Sequence, residues 1–162
     1  MGTGKTSVGK ILARKLGREL LDVDFCIEQK EKRKIREVFE KEGEAYFRNI
    51  EKQTIAEVAQ KKGVVITTGG GAVIDSENIE ALRKNGWIVA LKAQPGTILG
   101  RVKDSRHRPL LKADDKFSQI ERLLEARKPF YGNCDFSFET DNLTPLQVAD
   151  KILETMGTLL NA

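Results

Sequence analysis

The sequence has 162 residues, 40 % of them apolar and 32 % charged, which suits one soluble globular domain with a core of its own. The formal net charge of +4 is modest and not interleaved with aromatics, so it fits a site for anionic ligands and excludes a nucleic-acid-binding stripe. No apolar run approaches the roughly 20 residues of a membrane span, and Cys26 and Cys134 lie far apart without CxxC spacing, which argues against zinc and against a disulfide framework. No leader peptide is visible, so free, partly buried thiols in a reducing cytoplasm are expected.

The chain opens on Gly2-Thr3-Gly4-Lys5-Thr6, the second half of the phosphate-binding pattern G-x-x-x-x-G-K-[ST]. In the full pattern, backbone N–H groups curl round phosphates, the lysine reaches the β- and γ-phosphates, and the Thr hydroxyl sits on Mg²⁺. Val8, Ile11, Leu12 and Leu16 then recur at helical spacing and Gly17 stops the pattern, which predicts a helix over 5–16. A helix beginning inside the glycine turn is the context such a motif needs.

Short β-branched runs alternate with amphipathic segments from there on, the pattern of an α/β sheet protein. Strands are predicted at 19–21, 64–67, 87–91 and 136–139. Helices are predicted near 25–30, over 35–60 with a break near Gly43, and over 76–85, 95–102, 115–130 and 144–160. A phosphate loop lies at the C-terminal end of a strand, and no strand precedes this one. The missing piece, a strand plus the start of the loop, is roughly ten residues. Its loss would leave two neighbouring strands with unpaired edges, and Met1 is expected to be an internal methionine of a longer chain.

Ligands of open α/β sheets bind beyond the carboxyl ends of the strands, so residues there carry the information. Asp22 and Asp24, after the first strand, suit a Mg²⁺ partner and a hydroxyl partner; read structurally, they suit an Asx turn, with Asp24 as cap of the next helix. Gly69-Gly70-Gly71 follows the second strand and lets a backbone or ligand approach closely. Arg48 lies on a predicted helix, Arg108 in the basic loop Ser105 to Leu111, and Arg127 at a helix end ahead of Pro129. His107, the only histidine, reads as a loop residue.

Taken together these motifs resemble the shikimate kinases over nearly the whole chain and in order. They are Gly4-Lys5-Thr6, Asp22-Val23-Asp24, Gly43-Glu44 with Phe47-Arg48 and Glu51, Gly69-Gly70-Gly71, Arg108-Pro109-Leu110-Leu111, and Glu125-Ala126-Arg127-Lys128-Pro129-Phe130-Tyr131. The resemblance implies a three-layer α/β sandwich around a parallel sheet, family strand order 2-3-1-4-5, with the first strand absent here. It implies one kinase domain over 1–162, with a lid near 103–115 and substrate-binding helices near 24–60. The implied reaction moves the γ-phosphoryl of ATP to the 3-hydroxyl of shikimate.

The same resemblance implies the site. Gly2, Thr3, Gly4, Lys5, Thr6 and Ser7 would hold the phosphates, Arg101 and Pro145 the adenine. Thr6 and Asp22 would hold Mg²⁺, Asp22 through water. Asp24, Arg48, Gly69, Gly70, Gly71 and Arg127 would bind shikimate, with Asp24 orienting or deprotonating the acceptor hydroxyl and both arginines on the carboxylate. Lys5 and Arg108 would neutralise the moving phosphoryl group. A cytoplasmic monomer without nucleic-acid or membrane partners is implied as well. Glu31-Lys32 departs from the Thr-Gly often found in the family. Gluconate and nucleotide kinases of the same fold, and a non-catalytic relative, are the rival readings.

Overall fold

The computed structural model describes residues 2–102 and 115–160. Helix α1 (Lys5–Leu16) is followed by β1 (Glu19–Asp22), α2 (Val23–Glu31) and α3 (Ile35–Val58). Then come β2 (Val64–Thr67), α4 (Ser76–Arg83), β3 (Val89–Lys92) and α5 (Pro95–Val102). Helix α6 (Lys116–Arg127), β4 (Phe136–Glu139) and α7 (Pro145–Leu160) complete the described chain.

Local chemistry explains the boundaries. Gly17 ends α1 at φ 63°, where the sequence places the stop, and Arg18 N–H closes the turn on the Ala13 carbonyl at 2.9 Å. Helix α7 starts with a reciprocal cap. Thr144 N–H donates to Gln147 Oε1 at 2.8 Å and Gln147 N–H to Thr144 Oγ1 at 3.2 Å, with Pro145 as first helical residue. Helix α6 stops at Arg127, short of the expected 130, because Pro129 cannot continue it, and the N–H groups of Phe130 and Tyr131 fold back on the Arg127 carbonyl. The third strand begins at Val89 and not Trp87, because Ile88 is held end-on by Asp135: its N–H donates to Asp135 Oδ2 at 2.7 Å. Gly43, at φ 82° and ψ 176°, breaks α3 where the sequence suggested.

Lys32 links α2 to α3 at φ 55°, ψ 25°, a conformation that crowds the Cβ of any L-residue. Lys32→Gly should therefore stabilise the fold by about 0.5–1 kcal/mol, the relief of that crowding less the extra entropy glycine gains on unfolding. A denaturant midpoint that rises at unchanged slope would show it; an unmoved midpoint would show that the Lys32 backbone is not under load.

The strands form two parallel pairs. Strand β1 runs beside β2 with Glu19 opposite Val64 and Asp22 opposite Thr67; β3 runs beside β4 with Val89 opposite Phe136. Among the described residues β2 and β3 do not pair with each other, so each presents one unpaired edge, as the sequence led one to expect. A gap of about 100 Å³ lined by Val65, Ile66, Val89, Leu91, Leu12 and Ile152 lies there.

Three apolar clusters carry the packing. Leu21, Val23, Ile27, Val38, Phe47 and Ile55 join β1 and β2 to α2 and α3. Val8, Val148, Ala149 and Ile152 join α1 to α7 over β3 and β4, and Ile98, Val102 and Ile120 join α5 to α6. Both cysteines are free and half-buried. Among the described residues no helix is long and apolar enough to cross a membrane.

Candidate active site

The carboxyl ends of β1 and β2, the start of α1 and the ends of α5 and α6 surround one cavity of about 1020 Å³, room for two ligands side by side. Gly2 through Ser7 form one wall. Gly4 takes φ 92° to turn the chain into α1, and no side chain caps that helix start. No acidic residue occupies its first turn. The first N–H groups of α1 therefore face the cavity without intrahelical acceptors and with the positive end of the helix dipole, an arrangement that attracts an anion. Thr3 is buried and its hydroxyl has no partner, so the wall holds a donor to spare.

Against this wall stands Asp22. The β1–β2 register sets it beside Thr67, whose hydroxyl donates to Asp22 Oδ2 at 2.8 Å; Thr6 donates to the same oxygen at 3.1 Å. Asp22 Oδ1 accepts the Phe25 N–H at 3.2 Å, which makes Asp22 the cap of α2. That corrects the alternative reading of Asp24 as cap: Asp24 lies inside the first turn, and its carboxylate is left for the cavity. Hard oxygen donors from Thr6 and Asp22 next to a glycine turn fit a small divalent cation that shares its remaining positions with phosphate oxygens and water. Among the described residues no three acidic, histidine or cysteine side chains converge to hold a metal without such help.

Burial pushes the Asp24 carboxyl from 3.8 to about 6; the charges of Asp22 and Glu51 add to the shift and Lys5 opposes it. A Cβ built on Gly69 would lie 3.0 Å from Glu51 Oε1 and 3.2 Å from Asp24 Oδ1, so both acids crowd the first glycine of the loop. Glu51 is 1 % exposed and has one oxygen without a partner. Its other oxygen accepts from Arg48 Nη1 at 2.6 Å, while Glu44 takes Arg48 Nη2 at 2.9 Å. The Arg48 guanidinium also sits 5.3 Å from the centre of the Phe47 ring. Burial raises the Glu51 pKa, against the opposing charges of Arg48 and Arg127.

Arg48 rests against Gly71, where an added Cβ would come 2.6 Å from both terminal nitrogens of the guanidinium. Gly71→Ala should leave the fold intact, since a long side chain can yield, but push Arg48 off its place. We expect affinity for an anion held at the Arg48 end of the cavity to fall roughly 10–100-fold, with binding at the Gly2–Ser7 turn unchanged. Equal affinity of variant and wild type for such an anion would free Gly71 of this role.

Arg127, 7 % exposed at the end of α6, reaches the same cavity, as do Gly69 and Gly70. At the far end Arg101 donates to Thr140 Oγ1 at 2.9 Å and to the Thr140 carbonyl at 2.6 Å, and Thr140 in turn donates to the Lys92 carbonyl at 2.9 Å. Arg101 is thereby fastened to the ends of β3 and β4, on the cavity wall that Pro145 shares. Every sequence-predicted site residue lines this one cavity except Arg108, which with His107 and nearly all of the expected lid lies outside the described residues.

Sequence reasoning gave no task to several residues that the structure brings here. Glu51 was part of a motif only; its spacing of three from Arg48 was the available signal. Phe39 and Phe47, with ring centres 4.6 Å apart, and Ile35 form an apolar wall. Thr67 fixes Asp22 across a strand pair, which no local pattern announces.

The comparisons agree with this geometry. A family model described as shikimate kinase matches residues 1–157. The shikimate kinase of Caldicellulosiruptor saccharolyticus is 50 % identical over 94 % of this chain and 89 % of its own length. That of Thermodesulfovibrio yellowstonii is 45 % identical over 99 % and 93 %. The solved shikimate kinase of Acinetobacter baumannii in complex with shikimate superposes with a TM-score of 0.94 at 38 % identity, covering 98 % of this chain and 89 % of that one. The enzyme of Aquifex aeolicus gives 0.84 at 35 %, covering 100 % and 95 %. A glycine turn at a helix start, with Arg48 and the buried Arg127 lining the same cavity, on a fold shared with these enzymes over nearly the whole of this chain, places the chain in the shikimate kinase family of ATP-dependent phosphotransferases.

Proposed function

We propose that this cavity brings together ATP and shikimate and moves the γ-phosphoryl group to the 3-hydroxyl, a step in aromatic amino acid biosynthesis. The observation that carries the reading is the meeting of two kinds of anion grip in one space: Gly2 to Ser7 with Lys5, and Arg48 with Arg127, with Asp24 lining the same cavity. The phosphates would lie on the turn before α1 with Lys5. Thr6 and Asp22 would hold Mg²⁺, which offsets charge on the β- and γ-phosphates. Arg101 and Pro145 would flank the adenine. Arg48 and Arg127 would take the shikimate carboxylate, for which a planar fork suits better than a lysine.

Asp24 would accept the proton of the 3-hydroxyl as its oxygen bonds to phosphorus and the bond from phosphorus to the β-bridging oxygen breaks. A carboxyl with a pKa near 6 is ionised at neutral pH yet a better base than an ordinary aspartate. Arg108, outside the described residues, would act on the transferring group from the lid. A cytoplasmic monomer goes with this reading, ATP being its phosphoryl donor.

A coupled assay with ATP and Mg²⁺ against shikimate, gluconate and nucleoside monophosphates tests the reading. Phosphorylation of shikimate alone is expected. Turnover of another acceptor with shikimate untouched would overturn it.

A further inference from the structure

We infer that Tyr131 is a positioning residue that sets which way the Gly70–Gly71 peptide faces, and so presents the Gly71 N–H to the acceptor. The Tyr131 hydroxyl donates to the Gly70 carbonyl at 3.2 Å. Gly70 and Gly71 line the cavity and Tyr131 does not, so the tyrosine grips the loop from behind. In a trans peptide the C=O and the following N–H point in opposite directions. Turning the Gly70 carbonyl toward Tyr131 turns the Gly71 N–H the other way, toward the cavity. Glycine on either side of that peptide lets it rotate at little steric cost, so something outside the loop must choose its orientation.

The same residue ties the loop to Arg127. Tyr131 N–H donates to the Arg127 carbonyl at 3.2 Å, so the end of α6 and the glycine loop share one anchor. Arg48 closes the ring from the other side, lying against Gly71. The turn after Arg127 and the glycine loop are thus joined through Tyr131, by its backbone N–H on one side and its hydroxyl on the other, with Arg48 packed against the loop at Gly71. This inference rests on shikimate as acceptor, the reading above, but the peptide orientation itself does not.

The test is Tyr131→Phe in the whole protein, which keeps the ring and removes the hydroxyl. The KM for shikimate should rise roughly 3–10-fold, the loss of one orienting hydrogen bond, with the KM for ATP within twofold of wild type and little change in Tm. The amide resonance of Gly71 in ligand-free protein should shift or broaden as the peptide begins to turn over. Two results overturn the inference: an unmoved Gly71 resonance with an unmoved shikimate KM, or a fall in Tm with both KM values displaced together, as a merely structural tyrosine would give. If the wild type fails to phosphorylate shikimate, the reading of the acceptor falls, and the Gly71 resonance still decides what Tyr131 does.

Discussion

Asp24→Asn should lower kcat by roughly 10²–10⁴-fold while leaving ATP affinity near wild type. The amide can still meet a hydroxyl, but it cannot take its proton. The wild-type kcat/KM for shikimate should fall as the pH drops through about 6, where Asp24 protonates, and the Asn variant should lack that limb. Stability moves the opposite way. The folded-state pKa lies above the unfolded one, so between about pH 4 and 6 the folded protein binds the extra proton. Asp24 therefore favours folding below that window, and its contribution is lost as the pH rises through it. In the Asn variant, stability should depend less on pH across the same range. Activity profiles and denaturant midpoints measured from pH 4 to 8 decide both points, and an Asn variant with wild-type kcat would remove Asp24 from the chemistry.

Arg48→Ala should weaken shikimate binding by about 2–5 kcal/mol, because a desolvated charge pair loses one partner. It should also weaken the fold. Glu51 is 1 % exposed, and without Arg48 its carboxylate stays buried with only Arg127 to oppose the burial. Breaking such a pair costs about 3–5 kcal/mol when one partner is left behind. Glu51 should then titrate even higher, so the variant should lose stability as the pH rises through that value and recover it in acid. Adding Glu51→Gln to Arg48→Ala should restore much of the stability and none of the shikimate binding. Calorimetric titration with shikimate, alongside thermal melts of both variants, separates the two effects. Restored binding in the double variant would mean that Arg48 only neutralises Glu51.

Much of the site is legible in the sequence. The helix after Gly4, the pair Asp22 and Asp24, Arg48, the triple glycine and Arg127 stand in local patterns and motif order, Arg101 and Pro145 come only through the family resemblance, and all reach one cavity. What the sequence hid depends on pairings between distant segments. Asp22 and not Asp24 caps α2: the β1–β2 register places Thr67, and the start of α1 places Thr6, on one oxygen of Asp22, and the other accepts the Phe25 N–H. Glu51 looks like any helical glutamate until packing of the glycine loop buries it. The hydroxyl of Tyr131 finds its acceptor 61 residues away in the chain. The start of β3 moved because Asp135, brought alongside by β4, holds Ile88.

The break at Gly43 divides the long helix into two pieces with different duties. Ile35 and Phe39 ride on the outer piece, Phe47, Arg48 and Glu51 on the inner one. A swing of the outer piece about that joint would carry Ile35 and Phe39 away from Phe47 and open the apolar wall, with Arg48 and Glu51 left in place. On the function proposed above, an acceptor could then pass Ile35 and Phe39 while Arg48 and Glu51, on the other side of Gly43, kept their places.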